Sequence, residues 1–277
     1  MSKKFFEGWY FKHQNSLQTL AIIPGISSSG AFIQFITNDA SYNIDFPKSQ
    51  FVKGDKVIIS NNVFSFNGIS LNIKTEKLNV KGKITYSNLT PLKNDIMGPF
   101  KFFPMKCRHG VISMHHYTNG QIEINGECFD FSHGTGYIEK DSGNSFLTSY
   151  AWVQSNDFNK KCSIVVAVAD VPFCGFHFPG VICAIYYKGK EYRIATYNGG
   201  KILRCEKNNI SICNKTLRLD INIHENKGFI LKSPINGKML KTIKEIPSCK
   251  AAFKLTENNK LVFYMESPNT SCEFVQG

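Results

Sequence analysis

The sequence predicts an all-β protein built from two antiparallel barrels, and three observations carry that reading. Dipeptides that favour tight turns recur along the chain, flanked by alternating apolar residues. No long segment repeats its apolar residues at helical spacing. Aromatic residues make up 13% of the chain, with 23 Phe and 11 Tyr, which suits a pleated, half-buried surface.

The turn signals fall in order. Asn67-Gly68 lies between Phe64/Phe66 and Ile69/Leu71/Ile73. Lys81-Gly82 separates Leu78/Val80 from Ile84/Tyr86, and Asn119-Gly120 and Asn125-Gly126 bracket Ile122 and Ile124. Lys188-Gly189 separates Ile185-Tyr186-Tyr187 from Tyr192 and Ile194. Each reads as a hairpin whose turn needs Gly or Asn at positive φ.

A weak internal duplication runs through the same segments. Trp9-Tyr10-Phe11 resembles Trp152-Val153-Gln154, and Ala21-Ile22-Ile23-Pro24 resembles Ala169-Asp170-Val171-Pro172. Residues 32–36 match 181–185, Tyr42-Asn43-Ile44 matches Tyr192-Arg193-Ile194, and 63–73 match 209–219. The preserved order implies two domains, 1–143 and 144–277, divided in the polar stretch Asp141-Ser142-Gly143-Asn144. Two sheets of about eight strands each would close into barrels, removing exposed edges and leaving room for one apolar ligand. Residues 90–106 contain three prolines and no clear strand, and read as a long functional loop over a barrel mouth.

The net charge of +12 comes from 33 basic and 21 acidic residues, and only Arg108, Arg193, Arg204 and Arg218 are arginines. The lysines are scattered. A nucleic-acid reader clusters its charge and favours Arg, so no nucleic-acid partner is expected. Such a surface protects strand edges and leaves room for a weak attraction to anionic membrane surfaces. Lys3-Lys4 is followed by only Phe5-Phe6 before Glu7, which gives no secretory signal. The apolar stretch Phe176–Tyr187 is too short to span a bilayer. Nine cysteines without a CxxC pair then read as reduced, mostly buried thiols of a cytoplasmic protein.

Several chemistries find no support. His115-His116 point to opposite faces of a strand and cannot easily share an ion, and no zinc spacing occurs, so no metal is expected. There is no GxSxG elbow, Walker loop or GxGxxG, and no cofactor is implied. Three aromatic-polar runs stand out instead: residues 6–12, 134–143 and 150–156. Alternation places Glu7, Trp9 and Phe11 on one face, Tyr137, Glu139 and Asp141 on one face, and Tyr150, Trp152, Gln154 and Asn156 on one face. Singly, each Trp reads as a barrel plug and each carboxylate as a partner for a rim lysine. Together they read as a pocket.

These runs carry a resemblance. Phe6-Glu7-Gly8-Trp9-Tyr10-Phe11-Lys12, Pro24-Gly25-Ile26-Ser27, Ser113-Met114-His115-His116, Gly136-Tyr137-Ile138-Glu139-Lys140-Asp141 and Trp152-Val153-Gln154-Ser155-Asn156 resemble the tocopherol cyclase family, especially its bacterial members. The resemblance implies two lipocalin-like halves, a fold shared with carotenoid 1,2-hydratases. Two positions depart from the pattern: Ser142 stands where the family usually has Trp, and Leu147 where Pro tends to follow Phe146.

The resemblance also implies an activity. Such an enzyme protonates a prenyl alkene and lets a phenol oxygen, or water, trap the carbocation. The acid must be neutral at neutral pH, although a free carboxyl group ionises near ~4. Burial can raise that by roughly 3–5 units. The candidate acids are Glu139, Asp141 and Glu7; Trp9, Tyr137 and Trp152 would line the cation, and Gln154 or His116 would orient the phenol. The substrate would be a prenylated quinol or another isoprenoid small molecule. A non-catalytic binder or carrier of an apolar metabolite is the alternative reading.

Overall fold

The computed structural model describes residues 4–173, 175–224 and 227–276. Among them no α-helix occurs. Three short 3-10 turns, Lys48–Gln50, Gly98–Phe102 and Thr196–Asn198, interrupt a chain of strands. Among the described residues no helix is long and apolar enough to cross a membrane. The strands form two antiparallel sheets.

The first sheet contains β1 (Phe6–Gln14), β2 (Thr19–Ser27), β3 (Gly30–Thr37), β4 (Ser41–Phe46), β5 (Phe51–Lys53), β6 (Val57–Ile59), β7 (Asn62–Ser65), β8 (Gly68–Lys74), β9 (Asn79–Ser87), β10 (Cys107–Ile124), β11 (Glu127–Asp130) and β12 (Gly134–Gly143). Its order is β4-β3-β2-β1-β12-β10-β9-β8-β7-β6-β5, with β11 on β10. The second contains β13 (Tyr150–Ser155), β14 (Cys162–Phe173), β15 (Phe176–Tyr187), β16 (Lys190–Ala195), β17 (Lys201–Glu206), β18 (Asn209–Cys213), β19 (Leu217–Ile223), β20 (Phe229–Ile235), β21 (Lys238–Glu257) and β22 (Lys260–Val275). Its order is β16-β15-β14-β13-β22-β21-β19-β18-β17, with β20 on β21. From β4 to β7 and from β16 to β17 the connection order is nearly the same, which is the duplication in structural form.

The all-β, lipocalin-like architecture matches the expectation, but barrel closure does not. Each path has two free ends, β4 and β5 in the first sheet and β16 and β17 in the second. The first sheet rolls far enough for both ends to reach one core: Ile44 and Phe46 pack against it from β4, Phe51 from β5. It stays unpaired there because Pro47 and a 3-10 turn follow β4 directly and β5 is only three residues long. Short edges limit unwanted pairing.

The compact units are discontinuous in sequence. One comprises Met1–Pro91, Val111–Ser145 and Leu231–Thr242; the other comprises Leu92–Gly110, Phe146–Ile230 and Ile243–Gly277. In the first unit, the amide of buried Gln34 pairs both ways with the Lys232 backbone, at 3.0 and 2.7 Å. In the second, the segment expected as a long loop is anchored. Arg193 donates to the carbonyls of Asp95 and Asn94, and Tyr197 Oη donates to Ile96 O at 3.1 Å.

Each sheet has an aliphatic core. Trp9, Phe11, Ile22, Phe35, Ile84 and Ile138 belong to the first, and Val153, Ile164, Ile185, Leu219 and Phe253 to the second. Cys162, Cys183, Cys249 and Cys272 are buried, whereas Cys107, Cys128, Cys205 and Cys213 are not, so half of the described thiols depart from the expected burial. Cys174 lies outside the described residues.

Two expected turns prove to be mid-strand. Asn125-Gly126 and Lys188-Gly189 do turn, with Asn125 at φ 52° and Lys188 at φ 49°. Lys81-Gly82 and Asn119-Gly120 lie inside β9 and β10. There Gly82 faces Ile122 and Gly120 faces Ile84, at φ 141° and 129°. A Cβ on Gly120 would stand 2.2 Å from Lys83 O. The glycines serve close backbone approach between strands, a second use of the residue that favours positive φ. Gly120→Ala is therefore expected to cost about 2 kcal/mol or more, read as a lower urea midpoint. Gly54→Ala, where a Cβ meets nothing within 4 Å, should leave the midpoint unchanged.

Candidate functional site

Strands β1 and β12 pair antiparallel, so residues directly opposite share a face. Tyr10 faces Glu139, Lys12 faces Tyr137, and Gly8 faces Asp141. Their neighbours Trp9, Phe11 and Ile138 point into the first core. The other face is buried too: Lys12 and Tyr137 are fully enclosed, and Glu139 is only 5% exposed.

Tyr137 Oη donates to Glu139 Oε2 at 2.6 Å. Burial pushes the Tyr137 phenol well above its usual range, and the nearby Glu139 and Asp141 carboxylates push it further. The phenol therefore keeps its proton and remains a donor. Tyr10, Lys12, Tyr137 and Glu139 form a buried polar face, which the partly exposed Asp141 extends. This brings together Tyr137, Glu139 and Asp141, as alternation in β12 requires.

The remaining candidates sit elsewhere. Glu7 lies on the core side of β1, paired with Lys53 at 2.7 Å and Lys140 at 2.5 Å. Burial alone would raise its pKa, but hydrogen bonds and charge from the two lysines outweigh this and hold it below the usual range. Glu7 is thus an ionised partner for two cations, a poor proton donor. Trp9 shares this cluster, with the Lys140 and Lys53 ammonium groups 5.1 and 5.7 Å from its ring centre. It stands on the opposite side of the sheet from Tyr137.

His116 also lies on the core side. Its ring is 4.6 Å from that of Tyr86, and its Nδ1 is 3.3 Å from Ser113 Oγ. His13 completes the group: Nδ1–H donates to Leu20 O at 3.2 Å, and Nε2 accepts from Tyr86 Oη at 2.6 Å. Burial lowers His13 to about 4; burial and the charges of His13 and His115 lower His116 to about 3. Both imidazoles are neutral at neutral pH.

In the second unit, Trp152 and Gln154 project from the face of β13 opposite the core residues Ala151 and Val153. Trp152 faces Glu273 and Gln154 faces Ser271 across the β13–β22 ladder. Tyr150 Oη donates to Glu273 Oε2 at 2.6 Å, and Gln154 Nε2 to Asn156 Oδ1 at 3.1 Å. Glu273 in turn faces Glu245, which is fully buried. A Tyr–Glu pair therefore occurs in each unit. The duplication also needs correction: Trp9 faces its core and Trp152 does not, so Tyr10 and Trp152 are the positions on matching faces.

Sequence reading missed Tyr10, Lys12, Glu245 and Glu273. Tyr10 and Lys12 alternate with Trp9 in the same run, so their face was available once Trp9 was assigned to the core. Lys12 was obscured by the ordinary preference of Lys for solvent. Glu245 and Glu273 carry no local signal.

A model of tocopherol cyclase-like proteins matches residues 72–273, more than half of the chain. The chain belongs to the tocopherol cyclase-like family. No curated protein sequence matches it significantly. Among solved structures, CghA with Sch210972 is similar at a TM-score of 0.64 and 8% identity, over 99% of this chain and 89% of that one. Kievitone hydratase from Nectria haematococca is similar at 0.56 and 11% identity, over 98% and 88%. These likenesses establish a shared fold, and family membership is consistent with an enzyme of cyclase or hydratase type.

Two outcomes follow from the site. Unfolded histidines bind protons near 6.5, whereas His13 and His116 in the fold do so only near 4 and 3. Between those limits the unfolded chain holds more protons, so stability rises with pH from about 4 to 6.5 and is lost on acidification. The His13 share is on the order of 3 kcal/mol, checked by urea unfolding across that range, and His13→Gln should flatten the slope. Tyr137→Phe removes a donor from buried Glu139 and should cost about 1–3 kcal/mol, read as a lower melting temperature.

Proposed function

We propose that the chain is a proton-initiated cyclase or hydratase for a prenylated quinol or another isoprenoid small molecule, with Glu139 as its acid. The supporting observation is the buried Tyr137–Glu139 pair at 2.6 Å, on a face shared with Tyr10 and Lys12. An acid for alkene protonation must be neutral at neutral pH, which burial favours. Of the three candidate carboxyl groups Glu139 is the buried one, whereas two lysines keep Glu7 ionised.

Glu139 Oε2 accepts the Tyr137 hydrogen bond, and the same carboxyl group would carry the transferable proton. That proton goes to the less substituted alkene carbon, and the alkene pair forms the new C–H bond. The tertiary cation lies against the rings of Tyr10 and Tyr137, each contributing about 0.5–2 kcal/mol. The substrate's phenol oxygen closes the C–O bond and its proton returns to Glu139. The product is an isomer of the substrate. With water in place of the phenol, the same path is a hydration. The Lys12 ammonium suits the phenol oxygen and would position the nucleophile.

Ser142, opposite Glu7 where the family usually has Trp, favours a second reading: a carrier with a roomier cavity. Turnover separates the two. Incubation with a prenylated hydroquinone, read by chromatography and mass spectrometry, should yield an isomer or a hydrate; a carrier returns its ligand unchanged. Glu139→Gln should lose at least about 100-fold in rate, while Lys140→Met, on the opposite face, should stay within about twofold. A Glu139→Gln protein as fast as wild type would remove Glu139 from the reaction.

A further inference from the structure

We propose that an aromatic tip of the second unit docks on an anionic lipid bilayer. The tip is built from residues 98–108, the end of β14 at Phe173 and the start of β15 at Phe176. Its base is rigid, because Arg193 and Tyr197 hold the backbone of residues 94–96, and a Cβ on Gly98 would lie 2.7 Å from the Tyr197 ring. Beyond this anchor, Phe100 turns inward. It stacks on Phe178 at 6.0 Å and meets Phe173 at 6.4 Å, while Phe103 meets Phe173 at 5.4 Å.

Outside that inner layer the rings are open to solvent. Phe102 and Phe176 are each 78% exposed, and Phe103 is 43% exposed. Large exposed rings on an anchored turn mark an interaction surface more often than a random surface does. Charge decides the partner. Residues 96–110 contain Lys101, Lys106 and Arg108 and no acidic residue, and residues 171–180 contain no acidic residue either. Lys101 Nζ sits 5.0 Å from the Phe102 ring centre, and Arg108 donates to Phe103 O at 3.5 Å, so cations flank the rings. Of the acidic groups at the edges, Asp170 is paired with His177 at 2.7 Å and Asp95 accepts from Met97 N at 2.8 Å. Aromatic rings entering the headgroup region, with lysines reaching back to lipid phosphates, are the chemistry of a bilayer interface.

The docking rests on exposure and charge, independently of the acid assigned above. One consequence rests on that reading: a prenylated substrate resides in the bilayer, and this contact would place the enzyme at its supply.

The test is cosedimentation of the full chain with vesicles, without substrate. One set is phosphatidylcholine alone; the other contains about one quarter phosphatidylglycerol. Wild type is expected to bind the anionic vesicles, and added salt to weaken the binding. Phe102→Ser with Phe176→Ser should lower the partition coefficient at least about tenfold, and Lys101→Glu with Lys106→Glu by about tenfold. Both pairs are on the surface, and an unchanged far-UV spectrum confirms folding. Three results overturn the proposal: no binding to anionic vesicles, equal binding to neutral ones, or full binding by the double Ser variant. Wild-type dimerisation that the double Ser variant abolishes, without vesicle binding, would assign the tip to a second copy of the chain instead.

Discussion

The β1–β12 ladder is the element on which both the first core and the candidate site depend. Its nine register pairs run from Phe6↔Gly143 to Gln14↔Thr135. Side chains alternate across a strand, so one ladder feeds two environments. Trp9, Phe11 and Ile138 fill the aliphatic interior. Tyr10, Lys12, Tyr137 and Glu139 form the opposite, polar face, and it too is buried. A slip of one residue would exchange the two sets, placing Lys12 and Glu139 in the core. Burial on both faces thus fixes the register tightly.

That arrangement is expensive for a polar face. A buried charge costs several kcal/mol unless partners offset it, and aliphatic residues in its place are often neutral or stabilising. The chain keeps a Lys, a Glu and two Tyr there. It treats other polar groups differently. Glu7 sits beside two lysines as a rim ion pair, and His13 and His116 lie neutral against Tyr86. Three kinds of polar environment thus adjoin one strand.

Much of this was legible in the sequence, with identifiable gaps. The shared face of Tyr137, Glu139 and Asp141 follows from strand periodicity. The turns at Asn125-Gly126 and Lys188-Gly189 follow from their need for positive φ. Gly82 and Gly120 misled because close backbone approach inside a sheet selects the same residue as a turn does. Trp9 and Trp152 misled because matching letters carry no parity: a shift of one residue moves a side chain to the other face. Lys12 went unremarked because a lysine's burial depends on what covers it.

The sequence by itself determined the strand content, the repeat between the two halves, the alternation that groups Tyr137 with Glu139, and the family. The strand content and the alternation are local properties, set by period-two patterning and turn chemistry within a few residues; the family rests on motif resemblance. Only the tertiary structure decided that the sheets stay open and that residues 92–110 are strapped to the second unit. It also decided which carboxylate meets two lysines. Glu7 and Glu139 look alike in the sequence, but Lys53 and Lys140 reach one of them while a buried phenol donates to the other. A carboxyl group's proton is governed by the charges and water within a few ångströms, and residues far apart in the chain supply those neighbours.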